Sequence, residues 1–455
     1  MTGAGQAKYR PYPAYKPSGL EWLGDIPEGW EMIQSRRLFS QRKERARPDD
    51  EQLTASQKYG IIYQKEFMKI ESQRVVQVIT GSEILKHVEA DDFVISMRSF
   101  QGGLEWCKYA GCVSSAYVGV IPQKHVVPAF FSYFFKCKQY IQALQSTSNL
   151  VRDGQALRFD NFAQVSLPIV PEQEQTKIAA FLDYETAKID ALIAKQQRLI
   201  ALLEEKRQAV ISHAVTKGLD PTAPLRPSGI DWLGDVPAHW EVKRLKYLGN
   251  AWNGLTYSPD DVVAEGDGTL VLRSSNIQNA KLAFNDNVYV KGVIPKKACV
   301  IEGDLLICSR NGSRALIGKN AQITADLEGA AFGAFMCIFR SEMNAYLSAV
   351  LNSSLFEFQS GTFLTSTINQ LTTGNLLSFE IPLPPEKERG EIVKFLGQQV
   401  AKFNELLDKA QSAITLLKER RTALISAAVT GKIDLRDWQA PAAATDTTQD
   451  KEAMA

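Results

Sequence analysis

Between Glu172 and Thr216 the chain contains neither Pro nor Gly, with Pro171 just before the stretch and Gly218 just after it. Pro at the entrance and Gly beyond the exit punctuate a helix. Leu182, Ile189, Gln196, Leu203 and Val210 recur with a period of seven. Ile178, Glu185, Leu192, Leu199 and Lys206 interleave with them, which is the a/d spacing of a coiled coil. At 1.5 Å per residue such a helix is roughly 65–70 Å long, longer than an ordinary domain core. Glu386–Thr430 repeats the pattern, with Ile392, Leu396, Phe403, Leu406, Leu417 and Leu424 on the matching seam. Two long helices, each following a globular segment, are therefore the expected plan.

A second repeat supports this plan. PSGLEWLGDIPEGWE, Pro17–Glu31, returns as PSGIDWLGDVPAHWE, Pro227–Glu241, and so close a match signals internal duplication. Its tryptophans, Trp22, Trp30, Trp232 and Trp240, read as packing anchors rather than ligand contacts, with Trp22 and Trp232 expected to be buried against the helix pair. Between each Trp segment and each long helix lies a block with short apolar runs, such as Ile61-Ile62-Tyr63, Val75–Ile79, Phe93-Val94-Ile95, Leu270-Val271-Leu272 and Asp304–Cys308. Gly- and Asn-containing turns separate these strand signals. A helix follows in each block, over Ala129–Gln145 and Met343–Gln359. Asp92–Arg98 aligns with Asp304–Arg310, and each block leaves through Leu167-Pro168 or Ile381-Pro382.

The fold class expected is α+β: two duplicated α/β domains separated by two long antiparallel coiled-coil helices, with pseudo-two-fold symmetry. The expected boundaries are a flexible arm at 1–16, a first domain at 17–171 and a first helix at 172–217. A second domain at 218–385, a second helix at 386–431 and a disordered tail at 432–455 complete the chain. Antiparallel pairing is favoured on two counts. About a centre near Gln196 and Ala410 it brings Glu185 toward Arg420 and Lys206 toward Gln399, whereas parallel pairing sets Lys206 against Arg420. The short link from helix one to the second block also suits antiparallel neighbours.

Catalytic constellations are absent from the sequence. It has four His and no HExxH, six Cys and no CxxC, and a formal net charge of +1. The cysteines read as reduced thiols, and with no long apolar run or leader the expected location is the cytoplasm, away from membrane. Gly312–Lys319 has one residue too many between its glycines for a phosphate loop, and Asn320 stands where Ser or Thr would meet Mg²⁺. Glu204-Glu205-Lys206 has nuclease-like spacing but sits on a helix face. The Asn/Asp-Pro-Pro-aromatic sequence of N-methyltransferases does not occur. The chain reads as a binding scaffold.

The blocks carry side chains suited to DNA. Arg98, Gln101, Arg152 and Arg158 stand in the first; Arg273, Asn276, Arg310, Asn311 and Arg314 in the second. Arg matches guanine O6/N7 and Asn or Gln matches adenine N6/N7, while Ser, Thr and backbone N–H groups hold phosphates. Each residue alone fits an ordinary surface loop. Their clustering at matching places of a duplication points to DNA.

The duplicated P-S-G-(L/I)-(E/D)-W-L-G-D-(I/V)-P segment, the D-(F/L)-(V/L)-I strand ending in Arg98 or Arg310, and the Pro-Glu start of each long helix resemble specificity subunits of type I restriction–modification systems. The resemblance covers nearly the whole chain. It implies two target recognition domains, each reading half of a split double-stranded DNA target, and no chemistry in this chain. It implies two methyltransferase (M) subunits docked on the helices and restriction (R) subunits joining them, with S-adenosylmethionine, ATP and Mg on those partners. The helices would then act as a ruler between half-sites. A self-sufficient DNA-binding regulator or architectural protein is the alternative.

Overall fold

The computed structural model describes residues 9–441, apart from 57, 72–83, 97–98, 148–157, 232 and 364–369. The chain divides into two compact units, Met1–Lys195 with Ala413–Ala455, and Gln196–Ser412. The expected helices run over Glu172–Lys217 and Glu386–Val429.

Each unit is built on a four-stranded antiparallel sheet. In the first unit the order is Phe39–Arg42, Val118–Pro122, Phe93–Ile95, Glu105–Trp106; in the second it is Asn250–Asn253, Met336–Arg340, Leu305–Cys308, Asn320–Gln322. Successive strand residues point to opposite faces. Phe93 and Ile95 enter the main core with Phe39, Phe131 and Phe135, while Val94 packs on the other side with Val88 and Cys107. Leu305 and Ile307 likewise face one core, and Leu306 and Cys308 another. Burial on both faces is why these strands read as unbroken apolar runs. The expected run at 75–79 lies outside the described residues. The single helix expected in each block is two: Pro128–Phe134 with Lys138–Ser146, and Asn344–Leu351 with Ser354–Phe363.

Two buried carboxylates begin corresponding strands. Asp92 accepts from Arg42 Nε (2.5 Å) and Nη2 (3.1 Å) and from the Glu89 N–H. Asp304 accepts from Arg340 Nε and Nη2, both at 2.7 Å, and from the Ile301 N–H. The guanidinium comes from an outer strand in one unit and an inner strand in the other. The fork fits either way because only its position over the carboxylate matters.

The Trp segments form matching hairpins, Tyr15–Pro17 with Asp25–Pro27 and Leu225–Pro227 with Asp235–Pro237. The buried tryptophans are Trp30 and Trp240, each 1% exposed. Their indole N–H groups donate to Glu174 and Glu388 at 3.0 Å, in the first turns of the long helices. Trp22, expected to be the buried one, is only half-buried, and Trp232 lies outside the described residues. An indole needs both an apolar seat and an acceptor, and the helix-start carboxylates supply the acceptor to Trp30 and Trp240.

The ends of the chain correct another expectation. Tyr12, placed in the flexible arm, is buried and donates to Glu174, and Tyr15 Oη donates to Gly431 O at 3.0 Å. Ile433 and Leu435, placed in the disordered tail, are buried, and Trp438 packs edge-on against Phe181. Residues 1–8 and 442–455 are outside the described residues.

The long helices are antiparallel within each unit. In the first, Lys177 donates to Arg436 O and Arg421 pairs with Asp190 at 2.9 Å. In the second, Arg207 donates to Asn404 at 3.1 Å, and Gly218 lies against Glu388. The register differs from that expected. Asp190 opposite Arg421, and Arg207 opposite Asn404, set Ser426 level with Glu185 and Glu405 level with Lys206. The expected seam is also only partly used. Ile178, Leu182 and Ile189 are buried, but Leu192 and Leu199 are 47% and 43% exposed. Register follows from docking of the helix ends. Ile178, Phe181, Leu182, Ala428 and Val429 enter one core, and Ala214, Val215, Ile392 and Leu396 another. Burying one such side chain is worth about 1.5–3 kcal/mol, against a few tenths for an exposed charge pair.

Candidate nucleic-acid interface

The second unit carries an open cleft of about 1050 Å³, lined by Arg273, Ser274, Arg310, Asn311 and Phe335 among others. Three chain segments meet there. Parallel pairing of Leu272 with Phe332, and the Gly333 N–H donating to Leu272 O at 3.0 Å, bring Arg273 beside the turn that leads to Phe335. The strand Leu305–Cys308 delivers Arg310 and Asn311 to the same mouth. Phe335 O accepts from Ser309 N (3.0 Å), Arg310 N (3.1 Å) and Ser309 Oγ (2.9 Å). The Arg310 guanidinium lies 5.3 Å from the centroid of the Phe335 ring, a cation–π distance. Asn311 Nδ2 donates to Ser274 Oγ at 3.1 Å, and its Oδ1 accepts from the Ser313 N–H, so it ties two loops together and, among the described residues, keeps one amide proton for an outside acceptor.

The two cleft arginines are held differently. Arg273 Nη2 pairs with Asp286 Oδ2 at 2.9 Å, and its Nε is buried with no partner among the described residues. Arg310 is exposed and makes no ion pair with a carboxylate among the described residues. Its guanidinium is braced by the Phe335 ring. Of the other expected contacts, Asn276 is 0% exposed. Its Oδ1 accepts from Arg273 N at 2.9 Å and its Nδ2 donates to Ala283 O and Asn287 Oδ1. It closes a turn and has no edge left for a base. Arg314 is exposed on the neighbouring turn Arg314–Leu316. Arg158 is exposed at the start of helix Phe159–Gln164 in the first unit. Arg98 and Arg152 lie outside the described residues, as does the side chain of Gln101 on Ser99–Gly102. The structure therefore brings together Arg273, Arg310 and Asn311.

A cationic loop went unread in the sequence. Lys291-Gly292-Val293-Ile294-Pro295-Lys296-Lys297 is anchored by Ile294 against the small cluster of Val271, Val290 and Ala331, and by Trp252 donating to Lys297 O at 2.7 Å. Val293 at its tip is 98% exposed, and Gly292 has φ +109°. The three lysines are exposed and make no ion pair among the described residues. Lysine density around a Gly-x-x-Pro turn was the available signal.

Cys107 and Cys337 are not poised for chemistry. Burial pushes the thiols of Cys107 and Cys337 up to about 12, far from the thiolate that nucleophiles and ligands require.

Duplicated sheet blocks, each anchored by a buried tryptophan to the start of a long helix, and an arginine-lined cleft define a two-block recognition scaffold. The chain belongs to the type I restriction modification DNA specificity domain family, whose model matches residues 27–202 and 237–416. It is 26% identical over 207 residues to the type I restriction enzyme EcoKI specificity subunit of Escherichia coli (strain K12), covering 44% of each chain. It is 24% identical over 344 residues to the StySPI specificity subunit of Salmonella potsdam, covering 72% of this chain and 70% of that one. A solved chain from work on complex assembly and conformational transition of the type I R-M system has the same fold, with TM-score 0.67 and 14% identity over 90% of this chain and 99% of that one.

Proposed function

We propose that this chain is the DNA sequence-specificity subunit of a type I restriction–modification complex. Each block reads one half of a split double-stranded target. Two methyltransferase subunits and the restriction subunits do the chemistry, and S-adenosylmethionine, ATP and Mg belong to them. The observation that carries this reading is the cleft that gathers Arg273, Arg310 and Asn311 in a chain of this family. A guanidinium can donate twice to guanine O6/N7, and lysines such as Lys291 can hold phosphates. Exposed leucines on the long helices, Leu199, Leu202 and Leu406 in the second unit, support docking of methyltransferase subunits there.

The test is to map methylated adenines genome-wide with and without this chain, then with Arg273→Ala and Arg310→Ala. Each substitution is expected to relax one position of one half-site, at a cost of about 1–3 kcal/mol in the assembled complex. Maps unchanged by both would reject the cleft as the reader. Tight, selective binding of short duplex by the chain alone, with no need for methyltransferase subunits, would favour a self-sufficient regulator.

A further inference from the structure

We propose that Phe335 reads the 5-methyl group of a thymine while Arg310 reads the guanine beside it, so that the half-site of the second block contains a thymine next to a guanine. This rests on the proposed DNA reading by the cleft and names the bases that it takes.

Phe335 is 59% exposed although its neighbours Phe332 and Met336 are fully buried. Three donors fix its carbonyl on the scaffold, so the ring is presented at the cleft mouth from a rigid backbone. The small residues Gly333 and Ala334 precede it, and Gly312, also lining the cleft, has nothing within 4 Å of where a Cβ would stand. A base edge can therefore come close.

The Phe335 ring has no polar group with which to recognise a base by hydrogen bonds. In the major groove the one apolar feature that distinguishes a base is the thymine methyl, and an aromatic ring is a suitable contact for it. Arg310 supplies the complementary readout, two parallel donors for guanine O6 and N7. Its guanidinium lies 5.3 Å from the ring centroid. Bases on one strand are about 3.4 Å apart, so the two side chains are spaced to reach adjacent base pairs. Stacking on the ring also orders the guanidinium before DNA arrives, which reduces the entropy lost on binding.

The experiment uses the full chain assembled with its methyltransferase subunits and duplexes carrying the mapped target. Each thymine of the second half-site is replaced singly by uracil, which deletes only the methyl group. One replacement, beside a guanine, is expected to weaken binding about fourfold, the equivalent of one buried methylene-sized group. Phe335→Ala should bind the thymine and uracil duplexes equally, and Phe335→Leu should keep part of the preference. The inference fails if that half-site has no thymine next to a guanine, if every uracil duplex binds like the parent, or if Phe335→Ala retains the preference. Arg310→Ala separates the two levels. Lost selectivity at the guanine with silent uracils overturns only the thymine assignment, whereas unchanged selectivity in both Arg310→Ala and Phe335→Ala overturns the reading by the cleft.

Discussion

Side chains of one type take opposite roles here according to burial. Asn276 and Asn311 look alike in sequence, each following serine or arginine after an apolar strand. Asn276 has three internal hydrogen bonds and no exposed surface, while Asn311 lines the cleft. Asn276→Ala strands a backbone N–H and two acceptors. It should destabilise the protein by about 1–3 kcal/mol in urea denaturation, with the recognised sequence unchanged. Altered base preference at full stability would contradict that role. The paired carboxylates follow the same rule: Asp92 and Asp304, which align in the sequence, are each 1% exposed and bound to an arginine. They tie strands together within each of the two sheets, Asp92 through Arg42 and Asp304 through Arg340.

At the scale of elements, the exposed cations of the second unit stand on loops and the strands hold those loops still, the arrangement expected where binding residues sit on a rigid frame. The loop Lys291–Lys297 is the clearest case, being anchored at Ile294 and Lys297 while its tip and cations stay in water. Changing Lys291, Lys296 and Lys297 to Gln should weaken binding to all sequences alike. Each lost phosphate contact should reduce the slope of log K against log salt by about 0.9, which titrations at several salt concentrations will show. An unchanged slope would remove the loop from the interface. The long helices behave differently from a free coiled coil, because their ends are parts of the two cores. Leu192 and Leu199 satisfy the heptad yet face solvent, since two helices bury only a narrow stripe and the cores choose which.

Across the whole molecule, duplication explains both the symmetry and the place where it is broken. In the second unit one continuous stretch leads from the end of the first helix at Gly218 into the strand Leu225–Pro227. In the first unit the corresponding stretch is shared between Gly431–Trp438 and Tyr9–Pro17, joined by Asp434 N–H to Arg10 O at 2.8 Å. Each block should therefore be exchangeable. Replacing residues 32–170 by the equivalent block of a relative is expected to change one half-site in methylation maps and leave the other intact. Adding a heptad to both helices, about 10 Å of helix, should alter the number of unread base pairs between half-sites or abolish binding. Half-sites that change together, or a gap indifferent to helix length, would argue against separate readers on a helical spacer. The sequence by itself determined the two helices, their antiparallel sense, the duplicated α/β blocks and the family, because repeats and periodicity are local and survive as pattern. Only the tertiary structure decided that Trp30 and Trp240 are the anchors, that Tyr12 and Leu435 close the first unit, that the helix register follows the cores, and that Arg310 stands on Phe335. Those outcomes depend on partners far apart in the chain, where burial of a side chain outweighs any local preference.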